Sequence, residues 1–112
     1  MDVLDRIKEQ VENNPIMIYM KGTPQFPQCG FSSRTVQALQ ECAVEFSYVN
    51  VLADPDIRQN LPRYANWPTF PQLYVNGELV GGCDIILELH QKGELKPMLE
   101  QAEPAQEQKA AE

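Results

Sequence analysis

The sequence predicts an α/β fold in which a four-stranded mixed sheet, one β-α-β unit plus one β-hairpin, is flanked by helices. A short continuous apolar run, Ile16 to Met20 ("IMIYM"), follows a proline breaker and suits a strand buried on both faces. An amphipathic pattern then separates it from a second strand-like run, and strand, helix, strand over this distance implies a right-handed parallel crossover. Further along, Asn76-Gly77 divides two more strand-like segments and is the best hairpin signal in the chain, so those two strands should be antiparallel.

Each element has its own local cause. Val3, Leu4, Ile7 and Val11 recur at helical spacing among charged and amide residues, so a first amphipathic helix should end near Asn13-Asn14-Pro15. Ile16–Met20 is the central strand, and Lys21–Gln28 is a loop. From Ser32 to about Cys42, Val36, Leu39 and Ala43 mark the crossover helix, and Phe46–Val51 is the second strand. Asp54-Pro55 is a helix start, with Asp54 as N-cap, Pro55 at the first helical position, and Ile57, Leu61 and Tyr64 on one face. Pro62 is expected to interrupt or kink that helix. Gln72–Val75 and Glu78–Val80 form the hairpin. Asp84–Lys92 is the next helix, with Ile85, Ile86 and Leu89 on one side and Gly93 at its end, and a shorter helix follows over Glu94–Leu99.

At 112 residues this is one domain, expected over residues 1–102, large enough to bury a core without disulfide staples. The last ten residues, "EPAQEQKAAE", hold no large apolar side chain and are expected to form an acidic disordered tail over 103–112. The net charge of −7 argues against a nucleic-acid binder, which works through clustered Lys and Arg. No basic N-terminal segment leads into an apolar run, and no run approaches the ~20 residues of a membrane helix, so a cytoplasmic protein is expected. Three widely spaced cysteines, Cys29, Cys42 and Cys83, point to reduced thiols and not to a secreted disulfide framework.

Chemistry concentrates at "PQCGFSSR", Pro27 to Arg34, where Cys29 stands between a loop and a helix start. Unpaired N–H groups and the helix dipole there favour a thiolate. The bland alternative is a small buried hydrophobe, against which stand the polar, proline-rich approach and the adjacent Gly30. Ser32 occupies the place a second thiol would take in a dithiol motif, and a hydroxyl cannot exchange with a disulfide. Gly82-Cys83-Asp84 opens a helix whose free N–H groups can hold a carboxylate while Asp84 accepts from an ammonium, although Asp84 could equally cap its own helix. Lys21 and Arg58 supply positive charge on the same side, with Arg63 a possible addition; singly, each could be an ordinary solvated cation. Cys42 falls on an apolar face and reads as core. A zinc site from Cys29, Cys42, Cys83 and His90 lacks knuckle spacing. Trp67, Tyr64 and Tyr19 read as packing residues near the site.

"CGFS" (29–32), preceded by "KGTP" (21–24) and followed by "WPTFPQ" (67–72) and "GGCD" (81–84), makes residues 3–100 resemble the CGFS-type monothiol glutaredoxins, single-domain proteins of the thioredoxin-like fold. The resemblance implies a cis bond before Pro71, where an ordinary trans turn would otherwise be expected for both Pro68 and Pro71. It also implies glutathione binding. Phe70 would pair its main chain with the cysteinyl part, Cys83 (through its backbone) and Asp84 would hold the γ-glutamyl end, and Lys21 and Arg58 would meet the glycine carboxylate near the Cys29 thiolate. Cys29 would be the catalytic or ligating sulfur, and its pairing with Cys83 on oxidation stays open.

Two kinds of chemistry follow for one thiol. A two-iron two-sulfur (2Fe-2S) cluster needs four thiolates, which two copies of Cys29 and two glutathiones supply in a homodimer. That family binds and passes on such clusters, shows little reductase activity, and often pairs with BolA-like proteins, so cluster transfer to iron-sulfur acceptor proteins is the favoured expectation. The alternative is a glutathione-dependent monothiol oxidoreductase acting on protein-glutathione mixed disulfides. A redox-inert adaptor, indifferent to loss of Cys29, is a third class.

Overall fold

The computed structural model describes residues 2–102, and the tail expected at 103–112 lies outside the described residues. Its elements are α1 (Val3–Asn13), β1 (Ile16–Met20), α2 (Gly30–Glu41), β2 (Ser47–Asn50), α3 (Pro55–Ala65), β3 (Gln72–Val75), β4 (Glu78–Gly81) and α4 (Cys83–Gln91), followed by α5 over residues 95–102. The sheet order is β2-β1-β3-β4. β1 and β2 are parallel, and the other two pairs are antiparallel. This is the thioredoxin-like arrangement that the sequence predicts.

Every residue of β1 is buried, because the strand is covered on both faces. Ile16, Ile18 and Met20 face one core with Val36, Leu39, Leu73, Ile86, Leu95 and Leu99. Met17 and Tyr19 face the other with Ile7, Val11, Ile57, Leu61 and Tyr74. A period of two thus sends alternate side chains into two apolar layers, which is why the strand is apolar throughout. The buried Tyr19 hydroxyl donates to Gln10 Oε1 at 2.8 Å, and its ring meets Tyr74 edge-on at 5.6 Å between centroids.

Local signals placed most boundaries well. Asp54 caps α3, accepting from the Ile57 N–H at 3.3 Å, and an Arg6 guanidinium on its other oxygen (2.6 Å) ties α1 to that cap. Asn76 and Gly77 both take positive φ (53° and 83°), as a type I′ hairpin turn requires. Pro62 corrects the expectation: α3 runs through it from Pro55 to Ala65 without interruption. A proline deprives the Arg58 carbonyl of its usual partner, but Ile57 and Leu61 are wholly buried beside it. The far end is closed by Asn66 in the left-handed region and by the Trp67 N–H on the Pro62 carbonyl at 3.1 Å. Packing and a capped end hold a helix that propensity alone would break. Ile85 is a second correction, since it is 37% exposed and does not join the core with Ile86.

Strand directions gather four loops at one end. β1 and β2 finish there, β3 begins there with Gln72 opposite Tyr19, and β4 finishes there at Gly81 opposite Leu73. All segments carrying the motifs read from the sequence emerge at that end.

The loop after β1 has one residue without freedom. Gly22 sits at φ +94°, and a Cβ there would lie 2.5 Å from the Phe26 carbonyl oxygen and 2.7 Å from the Gln28 nitrogen, both main-chain atoms. Gly30, opening α2, has nothing within 4 Å of such an atom. Gly22→Ala should therefore lower the unfolding free energy by about 2 kcal/mol or more in urea titrations followed by circular dichroism. Gly30→Ala should stay within about 1 kcal/mol of wild type.

Candidate functional site

The loop between β1 and α2 is pinned from both ends. The Lys21 N–H donates to Ser32 Oγ at 3.1 Å, the Lys21 carbonyl accepts from the Gln28 N–H at 2.9 Å, and the Gly22 N–H donates to Asn50 Oδ1 at 2.9 Å at the end of β2. Thr23 and Phe26 exchange main-chain hydrogen bonds of 3.3 and 3.1 Å, which folds the loop into a miniature hairpin. This construction delivers Cys29 as the N-cap of α2, with extended backbone (φ −156°, ψ 139°). In that position a serine or aspartate oxygen would face the free N–H groups of the first turn. Here a sulfur does.

The consequence is electrostatic. Burial pushes the Cys29 thiol up, but the N–H groups of Ser32 and Phe31, the Ser32 hydroxyl and the Lys21 charge act the other way and hold it below the usual cysteine range. Cys42 differs, because burial pushes its thiol up. Among the described residues Cys29 is half-buried while Cys42 and Cys83 are buried, so one thiol meets solvent, and that one favours the thiolate.

Cys29 opens onto a cleft of about 710 Å³ whose walls include Lys21, Arg58, Phe70, Cys83 and Asp84, the residues singled out in the sequence. A cleft of that volume suits a ligand the size of a tripeptide. Lys21 directly follows β1, Arg58 comes from α3, Phe70 from the loop before β3, and Cys83 and Asp84 from the start of α4. The Phe70–Pro71 bond is cis, as the resemblance implied, and no other cis bond occurs among the described residues. The Phe70 N–H has no acceptor among those residues, which leaves it for a ligand.

Beside this segment Gly82 is the N-cap of α4, and no side chain among the described residues caps this helix. Asp84 is the second helical residue, exposed and without a hydrogen bond among the described residues, so it does not cap the helix and its carboxylate is open to a ligand. Gly82 is needed for close approach: a Cβ there would come within 3.3 Å of both the Pro71 carbonyl oxygen and Trp67 Nε1. The Trp67 Nε1–H is buried and lacks a partner among the described residues.

Some expectations do not converge here. Arg63 is not in the cleft; it reaches Asn60 Oδ1 at 3.4 Å on the exposed side of α3. Five residues turn a helix by roughly 140° past Arg58, whereas Pro62, four residues on, shares the cleft wall. Tyr19 and Tyr64 pack away from the cleft around Tyr74, and of the three aromatics only Trp67 lines it. Cys42 lies at the far end of α2 from Cys29, roughly 20 Å away by helical rise, with His90 Nδ1 4.0 Å from its sulfur. The cysteines and His90 therefore cannot share one ion.

Sequence reasoning missed three contributors. Ser32, noted only as a missing thiol, is fully buried and bonded to Lys21. Phe31, half-exposed with Arg34 stacked 5.3 Å from its ring centre, and Ile85 line the cleft from either side. For Phe31 the available signal was a large apolar residue two positions after Cys29 in an otherwise polar stretch.

The glutaredoxin family profile matches residues 16–80, from the central strand through the hairpin. The chain belongs to the glutaredoxin family. Glutaredoxin 4 of Pasteurella multocida (strain Pm70) is 66% identical over 99 residues, covering 88% of this chain and 91% of that protein. The solution structure of reduced poplar apo GrxS14 superimposes with a TM-score of 0.75 at 45% identity, covering 88% of this chain and 90% of that one. The crystal structure of a buckwheat glutaredoxin-glutathione complex gives 0.78 at 25% identity, with 89% of each chain covered. With Ser32 where a second thiol would stand, this is a monothiol glutaredoxin.

The thiolate of this glutaredoxin has a direct test. Alkylation of Cys29 by iodoacetamide, followed against pH, should show a midpoint below that of free cysteine. Lys21→Met and Ser32→Ala should each move it upward, because each removes a group that stabilises the anion.

Proposed function

We propose that this glutaredoxin carries a glutathione-ligated 2Fe-2S cluster between two copies of the chain and transfers it to acceptor proteins. The observation that carries the reading is the state of Ser32. Its hydroxyl is fully buried and accepts from the Lys21 N–H, so no second thiol stands beside Cys29 to compete for its sulfur. A half-buried thiol biased toward the anion is a good soft ligand for iron.

Glutathione completes the set. Its γ-glutamyl carboxylate fits the free N–H groups at the start of α4, its ammonium fits Asp84, its cysteinyl main chain fits the open Phe70 N–H, and its glycine carboxylate fits Lys21 and Arg58. Cys83 contributes its backbone. The glutathione sulfur is then brought toward Cys29, and two such half-sites supply four thiolates. The cluster is cargo, with half its ligands exchangeable. Partners on this reading are glutathione, a second copy of the chain, iron-sulfur acceptors and, following the resemblance, a BolA-like protein. Free thiols doing this work belong in a reducing compartment, the cytoplasm.

The low-lying thiol also favours a second reading. A Cys29 thiolate can attack the glutathione sulfur of a mixed disulfide and release the protein thiolate; a second glutathione thiolate then attacks the Cys29–glutathione bond, giving glutathione disulfide and free Cys29.

Reconstitution with iron, sulfide and glutathione separates the two. The carrier should become coloured and elute as a dimer, and Cys29→Ser should abolish both changes. A colourless monomer with rapid turnover of glutathionylated protein would select the oxidoreductase instead. Asp84→Ala should weaken glutathione binding by roughly tenfold or more in calorimetry, the scale of a lost hydrogen bond to a charged group.

A further inference from the structure

Gln72 opens β3 and is one of three fully buried polar residues among those described. Both N–H bonds of its amide and its oxygen are engaged. Nε2 donates to the Trp67 carbonyl at 3.0 Å and to the Thr69 carbonyl at 3.1 Å, while Oε1 accepts from the Tyr74 hydroxyl at 3.0 Å. One side chain thereby holds two carbonyls of the five-residue segment 67–71 that forms a wall of the cleft.

The bond to Thr69 has a geometric consequence. The Thr69–Phe70 peptide is trans, and in a planar trans peptide the C=O and the following N–H point in opposite directions. Drawing the Thr69 carbonyl inward onto a buried amide turns the Phe70 N–H outward. Phe70 lines the cleft, and its N–H has no acceptor among the described residues. The bond to Trp67 fixes the other end of the segment, where the indole abuts Gly82 at the start of α4.

We propose that Gln72 is a positioning residue for glutathione: by holding the Thr69 carbonyl inward it aims the Phe70 N–H at the cysteinyl part of the ligand. This rests on the glutathione reading above. Gln72 touches no ligand itself, and its effect passes through one peptide plane.

The test compares Gln72→Met and Gln72→Glu with wild type and with Val11→Ala, a truncation of a buried residue beside Gly77 of the hairpin turn, at the end of the sheet away from the cleft. Gln72→Glu retains an acceptor for Tyr74 but has no N–H for either carbonyl, and it serves if the methionine variant does not fold. Glutathione affinity is measured by calorimetry, and the Phe70 N–H direction by its residual dipolar coupling in the ligand-free protein. The expected result is about a tenfold loss of affinity with a changed Phe70 coupling in either Gln72 variant, and neither change in Val11→Ala. A folded Gln72 variant with wild-type affinity and coupling overturns the proposal, as does an equal loss in Val11→Ala. Wild-type protein that binds no glutathione defeats the reading beneath it, and an unchanged Phe70 coupling then defeats the orientation claim as well.

Discussion

The hydrogen bond from the Lys21 N–H to the Ser32 hydroxyl joins the end of the central strand to the first turn of α2, and the site depends on it. β1 is the most buried strand, so its direction is set by two apolar layers. The first residue beyond it still has an N–H to satisfy. Because that N–H is met from within α2, strand and helix are fixed relative to each other, and the loop between them must close over a short span. Gly22 permits the closure, and Cys29 is left where the helix N–H groups converge. A buried N–H without such a partner costs about 1–3 kcal/mol, so the serine is structural as well as chemical.

Electrostatics in this protein are local and oppose the global balance. The chain carries a net charge of −7, which repels an anionic tripeptide at long range. Lys21 and Arg58 face the cleft, and at physiological salt charges more than about 8 Å apart are largely screened. Within that range the two cations and the helix ends decide. The separation of scales lets the surface stay acidic overall while one pocket is locally positive.

Much of the fold was legible because its causes are local. The apolar run of β1, the Asp54-Pro55 cap and the Asn76-Gly77 turn each act over a few residues, and each fell where expected. Pro62 misled because its cost is local while its compensation, the burial of Ile57 and Leu61, is tertiary. The same division runs through the site. Lys21, Cys29, Phe70, Cys83 and Asp84 belong to short motifs, Arg58 to the helix that follows the Asp54-Pro55 cap, and all six line one cleft. Ser32 and Gln72 act through partners 11 residues away or through the carbonyls of a folded loop, and nothing in their own neighbourhoods announces it. Arg63 shows the converse: proximity in sequence to Arg58 suggested a shared patch, and helical rotation separates them.

The buried Trp67 Nε1–H has a practical consequence. It belongs to the only tryptophan in the chain, and the indole forms part of the cleft wall against Gly82. Indole emission depends on the polarity and mobility of its surroundings, and here one edge is dry while the ring borders the space a ligand would fill. The protein thus carries a single intrinsic indole fluorophore on the surface of its cleft. Occupancy of that surface can be followed optically in the unmodified chain.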